Sequence, residues 1–224
     1  ILSSDFQPRC FALVPCAGVA ERAGAGGPKQ YHTVAGKPMV AHTLAALAQV
    51  PRIEATLVVL SPDDAQFEHR VPDFEGERGW VARVGGASRA ESVSNGLSEL
   101  MARGASMLDW VLVHDAARCL IRPEWVSALI DACEHDEVGG LLALPMADTL
   151  KDSVTTPGDD HLPVTRVQST VDRVGKWAAQ TPQMFRLGLL RPALMSALSD
   201  PESAVRVTDE ASAVEAFGHQ PRLV

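Results

Sequence analysis

Residues 11–31 constrain the fold of this chain more than any other stretch. They open with four apolar residues, 11–14, a run too short for a helix and typical of a buried strand. The same stretch carries two cations, Arg22 and Lys29, among small residues at Cys16, Ala17, Gly18, Gly24, Gly26 and Gly27. Backbone N–H groups that no side chain covers can surround an anion, and the cations can neutralise it. The stretch therefore predicts a strand and then a loop that binds a polyphosphate; a flexible surface loop is the plain alternative.

Two familiar phosphate-binding motifs do not fit this loop. A P-loop requires Gly-Lys followed by Ser or Thr, whereas Lys29 is preceded by proline and followed by glutamine. The dinucleotide-binding fingerprint requires Gly-x-Gly-x-x-Gly, but Ala20 and Ala23 occupy the places of the second and third glycines after Gly18. A nicotinamide-binding Rossmann domain is therefore a weak alternative.

Composition limits the classes of protein that this chain can join. Its 224 residues can bury one large core or at most two small ones, and no apolar run is long enough to span a bilayer. Four cysteines without a CxxC pair fit a reducing compartment, and the N-terminus shows no signal-peptide pattern, so we expect a cytoplasmic protein. The net charge of −8 argues against nucleic acid or an anionic membrane as a partner.

Strand-like and helix-like segments alternate through the first two thirds of the chain. This alternation predicts an α/β fold with a mostly parallel sheet and helices on both faces. The predicted strands are 11–14, 55–60, 80–84, 110–113 and 139–145, and the predicted helices begin at 36–38, at Ser88 and at Glu124. Ser88 and Glu91 form a capping-box pattern at the start of the second of these helices. Near the end, we expect a helix that begins at Arg191, beside Pro192, and another that Thr208 caps, with a structural role for Asp209.

An acidic residue follows the predicted strand at 110–113. A carboxylate at the carboxyl end of a strand occupies a typical α/β site position, and Asp115 there can hold Mg²⁺ together with substrate phosphates. From its position alone, Asp115 is equally well interpreted as a helix cap that forms an ion pair with Arg118. His114 is better explained as a packed histidine beside the site than as a base.

The alternation breaks at residues 146–173. A strong turn signal at 157–160 lies between polar runs rich in Thr and Val, which predicts a β-hairpin. Such a hairpin has too little apolar surface to be stable alone, so we expect it to pack on a second copy of the chain. An exposed hairpin with a solvated Arg173 is the alternative.

Seven separated segments, in this order, resemble the 2-C-methyl-D-erythritol 4-phosphate cytidylyltransferase family. They are the loop with Arg22 and Pro28-Lys29-Gln30-Tyr31; residues 85–93; residues 114–118; the two hairpin legs 147–151 and 170–173; and residues 180–183 with 208–211. Cys119 stands where family members often have proline. The resemblance implies one domain over 1–224 with a Rossmann-like three-layer α/β/α nucleotidyltransferase fold. It also implies a protruding β-arm at 146–173 through which the protein forms a homodimer.

The resemblance also assigns roles to individual residues. It implies catalytic roles for Arg22, Lys29 and Arg173, and a magnesium ligand at Asp115. The nucleotide-binding set that it implies is Cys16, Ala17, Gly18, Gly85, Gly86, Ser92, Asp115 and Ala116. The acceptor-binding set is Arg118, Thr149 and Arg173, the last two reaching into the partner's site. Considered alone, Ser92 is as well explained as a hydroxyl on a helix surface.

The activity that the resemblance implies is transfer of CMP from CTP to 2-C-methyl-D-erythritol 4-phosphate, with release of pyrophosphate, in isoprenoid precursor biosynthesis. A ribitol-5-phosphate cytidylyltransferase and a non-catalytic nucleotide-binding dimerisation module are the alternatives. Family members continue with a glycine-rich turn, a lysine-bearing strand and a terminal helix. This sequence stops at Val224, and we expect that tail to belong to the protein.

Overall fold

Seven of the strands that the structure describes form one mixed sheet. A computed structural model describes residues 7–18, 27–158 and 162–224, so the predicted catalytic Arg22 lies outside the described residues. In chain order the described strands are β1 (Cys10–Cys16), β2 (Thr33–Val34), β3 (Lys37–Pro38), β4 (Ile53–Leu60), β5 (Gly79–Ala82), β6 (Trp110–Val113), β7 (Gly139–Pro145), β8 (Leu150–Pro157), β9 (Pro163–Val171), β10 (Trp177–Arg186) and β11 (Arg222–Leu223). The described α-helices are α1 (Met39–Ala48), α2 (Phe67–Arg70), α3 (Arg89–Ala102), α4 (Pro123–Cys133), α5 (Leu187–Leu198), α6 (Pro201–Arg206) and α7 (Glu210–Ala216).

Strand β1 lies inside the sheet, whose order is β11-β7-β10-β6-β1-β4-β5. It pairs in parallel with β4 on one side and β6 on the other, and β5 continues the parallel run beyond β4. Strand β10 runs antiparallel to β6, while β11 is parallel to β7. The carboxyl ends of β1, β4, β5 and β6 therefore lie at the same edge of the sheet.

Successive side chains of β1 enter opposite layers of the core. Ala12 and Val14 pack in one cluster with residues of α1 and α4. Phe11 and Leu13 pack in a second cluster with residues of α3, α5 and α7. A strand that is buried on both faces must be apolar throughout, which explains why β1 has no polar alternation. The predicted three-layer α/β/α architecture with a mostly parallel sheet is confirmed.

Helix α5 corrects one predicted boundary. The chain was expected to become helical at Arg191, but α5 begins at Leu187 and contains Pro192. Proline inside a helix removes one backbone hydrogen bond. Packing outweighs this cost, because Leu187 and Leu190 are fully buried and the Gly188 N–H donates to the Met107 carbonyl at 2.9 Å.

The chain divides into two compact units, one made of residues up to Leu142 with Thr181–Val224 and the other of Ala143–Gln180. In the smaller unit β8 and β9 form the predicted antiparallel hairpin, with Leu150 opposite Val171 at one end and Pro157 opposite Pro163 at the other. Most of its side chains are exposed, and the dimerisation role stays a prediction. Among the described residues, none of the helices combines the length and the apolarity that crossing a bilayer demands.

Candidate functional site

Loops from three neighbouring strands meet at the carboxyl edge of the sheet. The Gly85 N–H, in the segment after β5, donates to the carbonyl of Leu60 at the end of β4, at 2.8 Å. A Cβ at Gly85 would lie 2.4 Å from the Cβ of Ala17, in the loop that follows β1. Because such a separation is far inside van der Waals contact, only glycine lets these two loops approach so closely.

The loop after β1 is held at both of its described ends. Cys16 is buried at the end of the strand, Ala17 is half-buried and Gly18 is exposed. The side-chain amide of Gln30 donates to the carbonyls of Cys16 and Gly18, at 3.1 Å each. These two hydrogen bonds hold the 3-10 turn Lys29–Tyr31 beside the start of the loop. The exposed Lys29 therefore lies on a segment that is fixed to the end of β1.

Helix α3 begins with the predicted cap. The Ser88 hydroxyl accepts from the Glu91 N–H at 3.1 Å, whereas the Glu91 carboxylate accepts from Ala87 at 2.8 Å rather than from Ser88 itself. The buried Ser92 hydroxyl donates to the Ser88 carbonyl at 2.9 Å and accepts from the Gly86 N–H at 3.0 Å. Ser92 therefore shapes the backbone of the glycine pair, and its contact with a nucleotide stays a prediction.

Asp115 follows β6 and is flanked by two guanidinium groups. Its Oδ1 accepts from Arg89 Nε at 2.8 Å and its Oδ2 accepts from Arg118 Nε at 2.9 Å. Burial would raise the pKa of this carboxyl, but Arg89 and Arg118 outweigh burial and hold the pKa below its ordinary value. Asp115 is therefore an anion at neutral pH, with 29% of its side chain exposed to the edge of the sheet.

The backbone around Asp115 is fixed by buried side chains. The Asp115 N–H donates to the Thr181 hydroxyl at 3.3 Å, and that hydroxyl contacts His114 Nδ1 at 2.8 Å. His114 Nε2 lies 3.2 Å from the Arg118 carbonyl, which can only accept, so Nε2 carries the proton and Nδ1 accepts from Thr181. Burial lowers the pKa of His114 to about 4, which keeps this imidazole neutral, as expected of a packed histidine. Ala116 is buried, and its carbonyl accepts from the Thr43 hydroxyl at 2.9 Å.

Sequence reasoning missed the pair formed by Arg89 and Glu210. The Arg89 guanidinium donates to both carboxylate oxygens of Glu210, at 2.7 Å and 3.1 Å, while its Nε contacts Asp115. Burial lowers the pKa of Arg89, but the carboxylates of Glu210 and Asp115 raise it above its ordinary value. Burial also raises the pKa of Glu210, against the pull of Arg89. The only sequence signal was that Arg89 and Glu210 lie inside two of the family-like segments.

Asp209, rather than Thr208, is the cap of α7. The Asp209 carboxylate accepts from the Ser212 N–H at 2.8 Å, and the Ser212 hydroxyl accepts from the Asp209 N–H at 3.2 Å. The second Asp209 oxygen accepts from the Gln183 amide at 2.9 Å. The structural role expected for Asp209 thus takes the form of a capping box, and the expectation that Thr208 caps the helix is wrong.

Thr149 and Arg173 lie at one end of the hairpin in the smaller unit. Thr149 precedes β8 and Arg173 follows β9, and both side chains are exposed. The Arg173 guanidinium donates to the Ala147 carbonyl. The hairpin register therefore brings these two predicted acceptor-binding residues to the same end, and their role toward a partner subunit stays a prediction.

The donor set at Asp115 suits a magnesium ion that is shared with phosphates. Within residues 7–18, 27–158 and 162–224, no group of three or more His, Cys, Asp or Glu residues could hold a metal. Mg²⁺ commonly needs only one or two protein carboxylates when phosphates and water complete its shell. Each Asp115 oxygen accepts one guanidinium hydrogen bond at 2.8–2.9 Å and can accept another partner, so the residues fit the ion.

The sequence of this chain is similar to those of known proteins. The sequence profile of the family described as "IspD: 2-C-methyl-D-erythritol 4-phosphate cytidylyltransferase" matches residues 10–224. The chain is 56% identical, over all of its 224 residues, to a bifunctional enzyme IspD/IspF of Albidiferax ferrireducens, and it spans 50% of that relative's length. It is 52% identical over 216 residues to the 2-C-methyl-D-erythritol 4-phosphate cytidylyltransferase of Paraburkholderia phymatum, covering 96% of this chain and 87% of that one.

Solved structures give the same picture of the fold. A crystal structure of a 4-diphosphocytidyl-2C-methyl-D-erythritol synthase matches with a TM-score of 0.79 and 36% identity, covering 98% of this chain and 89% of that one. The 2-C-methyl-D-erythritol 4-phosphate cytidylyltransferase of Francisella tularensis matches with a TM-score of 0.76 and 29% identity, covering 96% and 89%.

Proposed function

This chain belongs to the family of 2-C-methyl-D-erythritol 4-phosphate cytidylyltransferases, and we propose from that premise that it transfers CMP from CTP to 2-C-methyl-D-erythritol 4-phosphate. Pyrophosphate is the second product, and the reaction is a step in isoprenoid precursor biosynthesis. One structural observation supports the proposal above the others. Glycine-bearing loops, the cation Lys29 and the ionised Asp115 belong to segments that meet at the carboxyl edge of the sheet, where α/β proteins bind nucleotides.

The reaction is a substitution at the α-phosphorus of CTP. An oxygen of the acceptor's phosphate forms the new P–O bond, the bond between the α-phosphorus and the bridging oxygen breaks, and its electron pair leaves with pyrophosphate. The attacking phosphate is already an anion, so the site needs no general base. Catalysis then depends on holding the two reactants in line and on neutralising negative charge.

The residues at the edge of the sheet supply that positioning and charge. The exposed backbone at Gly18 is suited to bind phosphate oxygens, and Lys29 balances the charge that develops on the leaving pyrophosphate. Arg22 is proposed for the same task from its place in the loop. Asp115 would hold Mg²⁺, which supplies positive charge next to the triphosphate.

Binding of the acceptor phosphate is assigned to arginine side chains. Arg118 is exposed at the edge of the sheet, next to Asp115. Thr149 and Arg173 at the end of the hairpin would complete the site of a partner subunit in a homodimer. A cytoplasmic location is proposed on the same grounds as in the sequence analysis, from the cysteine usage.

A pyrophosphate-release assay tests the proposal. Purified protein is incubated with Mg²⁺, CTP and either 2-C-methyl-D-erythritol 4-phosphate or ribitol 5-phosphate, and each nucleoside triphosphate is then tried in place of CTP. We expect release with CTP and the methylerythritol acceptor. Release with the ribitol acceptor alone would move the assignment to that substrate, and CTP binding without release from either would indicate a non-catalytic nucleotide-binding protein.

A further inference from the structure

We infer that Glu210, a buried carboxylate at the start of α7, is a positioning residue that holds Asp115 through Arg89 and so sets how tightly the site binds a magnesium nucleotide. The inference rests on the proposed function, because it assigns a task to the contacts of Asp115. Glu210 has 1% of its side chain exposed, against 32% for Arg89 and 29% for Asp115. The chain of contacts therefore runs from the core to the exposed edge of the sheet.

The shape of the guanidinium group makes this contact rigid. Its two terminal nitrogens donate to the two oxygens of Glu210, at 2.7 Å and 3.1 Å, and its Nε donates to Asp115 Oδ1 at 2.8 Å. All of these N–H groups lie in one plane, so the position of Glu210 fixes the direction from which Arg89 meets Asp115. A lysine could not make the same fork, because its ammonium is a single point on a flexible chain.

Anchoring of α7 does not require Glu210. The helix is capped by Asp209 with Ser212, and its Ala211 N–H donates to the side chain of Gln183 on β10, at 2.8 Å. A fully buried carboxylate carries a desolvation penalty that an apolar residue of similar size would avoid. The two hydrogen bonds from Arg89 explain why a carboxylate, rather than an apolar residue, occupies this position despite the penalty.

The charges explain why the pair matters for a cation. Glu210 binds the outer end of the Arg89 guanidinium, which leaves a single Arg89 contact, from Nε, on Asp115. Without that negative charge, Arg89 can turn its full fork toward Asp115 and compete with a metal for the same oxygens. Loss of a group that orients a metal-binding side chain commonly lowers metal affinity by about 10–100-fold.

The test compares Glu210→Gln with a matched control, Asp109→Asn. Asp109 is also fully buried and pairs with an arginine, Arg9, at 2.8 Å, but it lies at the opposite end of β6 from Asp115. Calorimetric titration with CTP is done on each folded protein in the presence and absence of Mg²⁺, with pyrophosphate release and urea unfolding measured in parallel. Both substitutions remove a buried charge, so both should lower stability.

We expect only Glu210→Gln to weaken CTP binding in the presence of Mg²⁺, by about 10–100-fold, with little change in its absence. Arg89→Lys should behave in the same way, and it carries the test if Glu210→Gln does not fold. The double variant should be no worse than the weaker-binding single variant, because the two side chains act as a unit. Equal Mg²⁺-dependent binding by Glu210→Gln and Asp109→Asn, or additive losses in the double variant, would overturn the inference.

The same titrations separate this inference from the proposed function. Wild-type protein that binds CTP with Mg²⁺ but releases no pyrophosphate would refute the proposed function, while the affinities of the variants would still decide the role of Glu210. Wild-type protein whose CTP binding does not depend on Mg²⁺ but which still releases pyrophosphate would overturn this inference and leave the proposed function standing.

Discussion

Replacing Thr181 by valine isolates the hydroxyl that supports the Asp115 loop. Valine has nearly the shape of threonine, so the substitution removes one oxygen and leaves the packing in place. In the wild type that oxygen accepts from the Asp115 N–H at 3.3 Å and donates to His114 Nδ1 at 2.8 Å. Thr181 is 7% exposed and His114 is 1% exposed, so water cannot readily replace the lost partner.

The expected cost follows from counting the polar atoms that lose their partner. An unsatisfied buried donor or acceptor costs about 1–3 kcal/mol. Loss of the hydrogen bond to His114, which is short and buried, should cost a free energy near the middle of that range. Loss of the longer hydrogen bond from the Asp115 N–H should cost a free energy near its lower end. Thr181→Val should therefore lower the free energy of unfolding by about 3 kcal/mol in total. A switch of the His114 tautomer cannot recover this, because it would turn an Nε2 lone pair toward the Arg118 carbonyl.

Urea unfolding near pH 7.5 measures this cost, with Thr181→Ser as the matched control. Serine keeps the hydroxyl and loses one methyl group, which should cost about 1 kcal/mol. Pyrophosphate release should also fall more in the valine variant, because the backbone of Asp115 loses a support. If the serine variant is destabilised as much as the valine variant, the hydroxyl is not what holds this loop.

Three further predictions concern other parts of the same edge. His114 stabilises the fold fully above pH 6.5, where its unfolded form is neutral, and this contribution declines as the pH falls toward 4. The loss near pH 5 should be about 2 kcal/mol, measured as the difference between urea titrations of the wild type and His114→Gln. Lys29→Ala should lower turnover by about 10²-fold or more, and Lys37→Ala, which removes another exposed cation, should not. Gly85→Ala should weaken CTP binding in a titration and lower the free energy of unfolding by about 1–3 kcal/mol, because the new Cβ would lie 2.4 Å from that of Ala17. An unchanged affinity for CTP would contradict the close contact of the two loops.

Local patterns in the sequence predicted the frame of the site. Residues 11–14 are apolar because β1 is buried on both faces, and a short apolar run between turn residues is readable without any neighbour. Ser88 and Glu91 predicted the start of α3 because a helix cap is completed within one turn. Asp115 was found because a carboxylate directly after a strand has a defined place in a parallel sheet.

Contacts between distant parts of the chain could not be predicted in this way. Arg89 and Glu210 are 121 positions apart and meet only because α3 and α7 pack on the same face of the sheet. Thr181 reaches His114 across 67 positions, through the pairing of β10 with β6. The predicted start of α5 at Arg191, beside Pro192, was wrong for the same reason. The helix begins at Leu187 because that side chain is buried against distant parts of the chain, which the local sequence does not show.

A crystal structure with CTP and Mg²⁺ tests the location of the active site most directly. The nucleotide should lie at the carboxyl edge of the sheet, with its triphosphate within contact distance of Gly18 and Lys29 and the ion beside Asp115. A nucleotide bound at the opposite edge of the sheet, or crystals that remain free of nucleotide at saturating CTP, would contradict that location.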